Sequence, residues 1–208
     1  MKNYEYIVAS LPDITTGWKF GDKAPEDYIE EIVSLCSDKD KKLIDFLLSG
    51  YLEENLNIDF YAKALTHEDS FIKEYFRFDL NIRNAKVKYL NKALGRAADK
   101  DVLVFPEDAD QAVLNAVEAE FEEEADIETI LNAGDILSRE RGIDDLMWEK
   151  IGNLTTFNYF DIDAILGFIT KLNIVARWYR LDEQTGREMF KKLVDEVRGT
   201  FKGVEYNG

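Results

Sequence analysis

The chain has 208 residues, a formal net charge of −16, 46% hydrophobic and 33% charged residues, and only three Pro and twelve Gly, which excludes a disordered or collagen-like protein and favours a helical globular one. Cys36 is the single cysteine, so neither an intrachain disulfide nor a thiolate metal site is open to it. No apolar run approaches the roughly eighteen residues of a membrane helix, and residues 1–17 lack the apolar run of a signal peptide; a cytoplasmic protein with no direct membrane insertion is expected.

Helical spacing dominates the chain. Residues 4–9 read equally as strand or helix. Pro25 fits a first helical turn, and Tyr28, Ile29, Ile32, Val33 and Cys36 then recur at steps of three and four, which makes Cys36 a packed thiol. Ser37 and Asp38 form the next N-cap, ahead of Leu43, Ile44, Leu47 and Leu48, and Gly50 ends that helix. Residues 57–65 and 70–78 give two short helical segments. A longer helix is expected over 79–94, opened by Asp79 and burying Leu80, Val87, Leu90 and Leu94.

Phe105-Pro106 breaks the chain, and Ala109, Ala112, Val113, Ala116, Val117 and Phe121 then form a narrow apolar stripe under an acidic face. Asp126 is placed to cap a helix carrying Ile127, Ile130, Leu131 and Leu137, with Arg139 and Arg141 in its last turn before Gly142. Residues 144–151 read as one more short helix and 154–160 as a connection. Asp161 opens a long helix over 161–181, with Ile162, Ile165, Leu166, Ile169, Leu172, Val175 and Tyr179 in register. A last helix over 183–199 turns Met189, Phe190, Leu193, Val194 and Val197 inward. The fold class expected is an all-α, irregular bundle of roughly eight or nine short and medium helices. It divides into a unit over 1–100 and a unit over 101–208 led by the acidic helix, or forms one compact domain.

The charge is segregated. Residues 101–138 hold twelve Asp or Glu and no Lys or Arg, whereas residues 75–96, YFRFDLNIRNAKVKYLNKALGR, hold six basic residues and one acid. Lys86, Lys88, Lys92 and Arg96 lie around the exposed part of the 79–94 helix and form the candidate partner interface. Nucleic acid is not the expected partner, because the net charge repels a polyanion and no RRM, KH or helix-turn-helix signature is present. An acidic protein surface, the chain's own Glu-rich helix included, is the better match. Arg83 or Asn84 interrupts the apolar stripe; Arg83 either snorkels past the core, pairs with an acid such as Asp79 four positions earlier, or locks a helix contact through a buried fork of hydrogen bonds.

Conventional sites of chemistry are missing. His67 has no second histidine at metal-binding spacing and reads as a capping or bridging residue. Glu118 with Glu122, and Glu120 with Glu124, form i, i+4 pairs that read as a solvated face. There is no G-x-x-x-x-G-K-[ST] or G-x-G-x-x-G loop and no serine-nucleophile motif, so no cofactor and no enzymatic activity are expected. A carboxylate-based metal enzyme and a freestanding helical interaction module are the alternatives.

An internal echo ties the two long helices together: Phe78-Asp79-Leu80 and Phe160-Asp161-Ile162 match at an offset of 82, which also aligns Val87 with Ile169 and Leu90 with Leu172. The D-L-N-I-R-N sequence, an acid at a helix start followed by Asn, Arg and a basic amphipathic helix, resembles the helical repeat of the C-type component of V-type and archaeal-type ATPases, the d-type component in eukaryotes. With the N-terminal Y-E-Y-I-V-A-S-L-P-D, it resembles more specifically an uncharacterised bacterial family encoded beside V-type ATPase genes. Asp79, Asn81 and Arg83 match the repeat motif in the first unit and Asp161 in the second, where Ala164 and Ile165 stand in place of the polar and basic residues. The resemblance implies a non-catalytic, wholly helical adaptor without bound nucleotide. Its partners would be the central rotor stalk and the membrane rotor ring of a V-type ATPase, which would hold it peripherally at the inner membrane.

Overall fold

Nine α-helices and one 3-10 turn, with no strand, make up residues 4–119 and 121–180, which are those described by the computed structural model. The 183–199 helix, Glu120 and the end of the 161–181 helix at Leu181 lie outside the described residues. In chain order the helices are α1 (Tyr4–Ser10), α2 (Pro25–Leu35), α3 (Asp38–Ser49), α4 (Ile58–Leu65), α5 (Ser70–Ala93), α6 (Gln111–Glu118), α7 (Glu124–Leu131), α8 (Ile136–Thr155) and α9 (Ile162–Arg180). The all-α expectation is met. Tyr4 and Ile7 settle the ambiguity of residues 4–9: as a helix the segment buries both on one side.

Local signals position most helix starts. Pro25 opens α2, Ser37 accepts from the Asp40 amide at the start of α3, and Asn57 accepts from the Phe60 amide at the start of α4. Cys36 is buried just past α2, where burial pushes its thiol pKa up. His67 also acts locally: its Nδ1 accepts from the Asp69 amide at 3.0 Å and its ring lies against Phe46.

Several boundaries differ from the sequence expectation, and residues 144–151 are the inner part of α8 and not a separate short helix. Residues 70–93 form one helix of 24 residues, so Asp79 sits mid-helix; the N-cap is Asp69, which accepts from the Ile72 amide, and no Gly or Pro interrupts the segment. The stripe assigned to its second half is also displaced. Leu80 is buried and Val87 half-buried, but Leu90 and Leu94 are 52% and 59% exposed. Beyond α7, Asp135 caps a new helix by accepting from the Ser138 amide at 2.9 Å, so Arg139 and Arg141 belong to the first turns of α8 and Leu137 is exposed.

Gly142 does not end a helix. It lies inside α8, where an added Cβ would come within 2.8 Å of Ile130 Cγ2, so its role is close approach of α7. Asp126 lies in the first turn of α7, and Glu123 occupies the cap position while its carboxylate takes Lys150 at 2.7 Å. Along the acidic segment, Val113 is buried, Ala109, Ala116 and Phe121 are half-buried, and Ala112 and Val117 are exposed.

The central element is α9. Ile165 to Ala176 are buried on almost every side, including Phe168, Ile174 and Ala176 outside the expected stripe, and such all-round burial means that neighbours enclose the helix. Helices α1, α2, α3 and α8 all lie against it, while α4 packs on α5 and α5 meets α7 and α8. Buried side chains from both sides of residue 100 join in one cluster, from Tyr4 to Ala176.

Candidate functional site

The long α5 helix presents three different surfaces. On one, Asn84 and Leu103 exchange two hydrogen bonds, both of 3.0 Å, and the buried Asn91 amide donates to the carbonyls of Ala98 and Lys100 at 3.2 and 2.7 Å. These two asparagines, seven positions apart and therefore on one face, fasten the 95–105 connection along the helix. In the sequence Asn84 shows only as a polar break in the stripe beside Arg83, and Asn91 does not stand out. Asparagines in an amphipathic helix are ordinarily solvated.

A second surface carries the basic residues. Lys88 and Lys92 line a groove of about 490 Å³ between α5 and α7, opposite Glu124 and Glu128. The basic helix thus faces the chain's own acidic helix across open space. Lys86 is turned away from this groove: its Nζ donates to Glu140 Oε1 on α8 at 2.7 Å, and both side chains are about one-third exposed. Arg96 is exposed past the end of α5. Lys86, Lys88, Lys92 and Arg96 therefore do not form one uniform patch, because Lys86 is a bridge within the fold.

The third surface, formed by Asp79, Arg83, Lys86 and Leu90, borders a cavity of about 480 Å³ between α5, α8 and α9. Positions 79, 83, 86 and 90 recur at steps of four, three and four, which keeps them on one side of a helix. Half-buried Asp79 receives a hydrogen bond of 2.6 Å from the Tyr61 hydroxyl on α4. Burial raises its pKa above the usual carboxylate value, against the opposing pull of Tyr61, Arg83 and Lys86. The Tyr61 and Tyr75 hydroxyls are pushed up as well, chiefly by burial and further by the Asp79 charge.

Arg83 does not form the expected pair. Its charge acts on Asp79 and Tyr61 through space, yet among the described residues it makes no hydrogen bond and no ion pair, and its Nε is buried. The hydrogen bond that Asp79 accepts comes from Tyr61. The opposite wall is an ionic chain: Glu140 accepts from Lys86 and lies 3.8 Å from Arg177, which donates to Asp144; the Trp178 indole also donates to Asp144. Asp144 is buried, and these charges tie α5, α8 and α9 together.

The other motif residues lie apart. Asn81 borders a small recess with Arg77, Glu122 and Lys150 on another side of α5. Asp161 does open α9, accepting from the amides of Asp163 and Ala164 at 3.0 and 3.2 Å. Asp79, by contrast, serves as a mid-helix hydrogen-bond acceptor, so the two acids of the internal echo have different structural roles. No group of three or more His, Cys, Asp or Glu side chains converges as a metal site among the described residues.

A family profile described as a protein of unknown function, DUF2764, matches residues 50–200. The chain belongs to the DUF2764 family. No curated protein and no solved structure matches it significantly. The DUF2764 span takes in α4 to α9, and so contains the whole charged wall of the α5–α8–α9 cavity, while α1, α2 and α3 precede it.

Proposed function

We propose that this protein is a non-catalytic helical adaptor, similar in role to the C-type or d-type component of V-type ATPases, that joins the central rotor stalk to the membrane rotor ring. The observation that supports this reading is a pair of exposed apolar patches at the two ends of α8. At one end Ile136 is 71% exposed and Leu137 64%, near Leu90 and Leu94 at the end of α5; Arg139 covers Tyr89, and Lys92 lies across a groove from Asn132. At the other end Phe157, 88% exposed, stands with Tyr159 and Phe160 in the α8–α9 connection. The 20 residues of α8 separate the patches by about 30 Å.

Exposed large apolar groups gathered at two sites fit two protein contacts better than one substrate pocket. Between them α8 is packed along α9 and pinned by Lys86, Glu140, Arg177 and Asp144, which gives the rigidity that torque transfer requires. Lys88, Lys92 and Arg96 flank the first patch and favour an acidic partner there. No described helix is long and apolar enough to cross a membrane, in keeping with attachment through protein partners.

Capture by purified stalk and ring proteins tests the reading. Leu94→Asp with Leu137→Asp should abolish capture of one partner, and Phe157→Asp with Phe160→Asp that of the other, with helicity retained. Failure of the unaltered protein to capture either one overturns it. Gene neighbourhood supplies a quick discriminator: neighbours that encode no ATPase component favour the freestanding interaction module.

A further inference from the structure

Arg83 lines the cavity of about 480 Å³ between α5, α8 and α9, and its guanidinium makes no hydrogen bond or ion pair among the described residues. The Tyr51 hydroxyl, on the same lining, is also buried outside good hydrogen-bond geometry, but it has the Thr170 and Tyr75 hydroxyls close by, so Arg83 carries the argument. A cavity wall carrying an arginine whose terminal nitrogens have no protein partner is suited to an anionic group. The volume lies within the range of about 300–1,000 Å³ characteristic of small-molecule sites. The other lining cations are already engaged: Lys86 by Glu140, and Arg177 by Glu140 and Asp144. Arg83 is left, among the described residues, with its planar fork free.

We infer that this cavity binds a small organic monocarboxylate, with its carboxylate on the Arg83 fork and its apolar body along Ile82, Ile143, Met147 and Ile174. A guanidinium matches a carboxylate through two parallel hydrogen bonds, a geometry that the free fork offers and a single ammonium does not. Of the two wall carboxylates, Asp144 is already engaged by Arg177 and Trp178, and Asp79 by one hydrogen bond from Tyr61. The same two carboxylates repel a dianion such as phosphate more strongly than a monocarboxylate, and phosphate has no apolar body to lay on the lining. The apolar side chains on the lining call for an apolar body behind the charged head.

The test uses the isolated full-length chain, and so stands apart from the adaptor reading, whose failure would appear only in capture of the stalk and ring proteins. Octanoate is titrated into protein carrying labelled isoleucine and methionine methyl groups. The expected result is saturable shifts at Ile82, Ile143, Met147 and Ile174, with affinity lowered about tenfold or more in Arg83→Gln. Arg83→Lys, which keeps the charge and stem, should fall between the two and carries the test if Arg83→Gln does not fold. Octan-1-ol and octylamine should bind far more weakly, and inorganic phosphate should neither shift these methyls nor displace octanoate. The inference is overturned by absence of saturable shifts, by equal octanoate affinity in the Arg83 variants, by equal binding of octan-1-ol, by displacement with phosphate, or by shifts confined to Ile127 in the α5–α7 groove.

Discussion

The Tyr61 hydroxyl donates to Asp79 Oδ2 at 2.6 Å, so a carboxylate in the middle of α5 is held by the preceding helix, not by the arginine one turn further along. Tyr61→Phe removes this hydrogen bond while keeping the ring, and should cost about 1.5–3 kcal/mol, the range for a hydrogen bond to a charged group. Because Tyr61 favours the ionised carboxylate, Asp79 should become harder to ionise in the variant. The loss should therefore be larger near neutral pH than in acid. Urea unfolding of both proteins at the two pH values checks this; an equal loss at both would mean that the bond does not depend on the Asp79 charge.

Asp163 provides a second test through pH. Its pKa is raised to about 6, first by burial and then by the nearby Asp69 and Asp161 carboxylates, while Asn158 partly opposes the rise. A folded-state value above the unfolded one means that Asp163 contributes stability in its protonated form, fully below the unfolded value of 3.8, and that this contribution is lost as pH rises through about 6. Asp163→Asn keeps the neutral form at every pH. Its stability relative to the unaltered protein should rise between about pH 4 and about pH 6.5 and then level off. Chemical unfolding across that interval would reject the assignment if the difference stayed constant.

Much of this fold was legible because it rests on local rules. Ser37 and Asp161 are short polar side chains ahead of apolar helical spacing, and each accepts from amides at the helix start it was placed to cap. Asp79 misled for the same reason: an acid before an amphipathic run looks like a cap, and only Tyr61, eighteen positions earlier, shows that it has another partner. Leu90 and Leu94 fit the helical spacing, but nothing described covers them, and spacing cannot reveal how far a neighbouring helix extends. The cavity was visible only as Arg83, the polar break in an apolar stripe. Tyr51, Asp144 and Arg177, which complete its walls, come from segments whose meeting is a tertiary event.

The basic residues of α5 and the Arg96 that follows it should separate in their effects. Lys88, Lys92 and Arg96 are exposed, and exposed ion pairs are worth only about 0–1 kcal/mol, so reversing all three to Glu should leave thermal unfolding nearly unchanged. Capture of the partner proteins should fall, most clearly at low salt where these charges are least screened. Lys86→Glu should behave differently, placing a carboxylate against Glu140 and destabilising the fold. If the triple variant captures both partners normally at low salt, these residues are not the interface.

Asn84→Ala should loosen the 95–105 connection without disturbing the core. The substitution leaves both the amide and the carbonyl of half-buried Leu103 without their partner, at a cost of about 1–3 kcal/mol. Amide exchange is the direct measure. The Leu103 amide should lose its protection while amides of α9 change little, and retained protection there would show that the Asn84 exchange does not hold the segment.

The contact of α8 with α9 depends on the absence of a side chain at Gly167. A Cβ there would come within 2.6 Å of Thr155 Cγ2 and 3.5 Å of Ile151 Cγ2. Thr155 has little freedom to yield, because its hydroxyl is bonded to the Ile151 and Gly152 carbonyls of its own helix at 3.0 and 3.3 Å. Gly167→Ala should therefore destabilise the protein by about 1–3 kcal/mol, the usual cost of overpacking, despite the better helix propensity of alanine. Thr155→Ser deletes the obstructing methyl and keeps the hydroxyl, so the double variant should recover most of the loss. Such neighbours should be non-additive in a double-mutant cycle. Purely additive effects in urea unfolding would mean that the two helices relax apart at this point, and the rigidity assigned to the α8–α9 pair would then lose its structural basis.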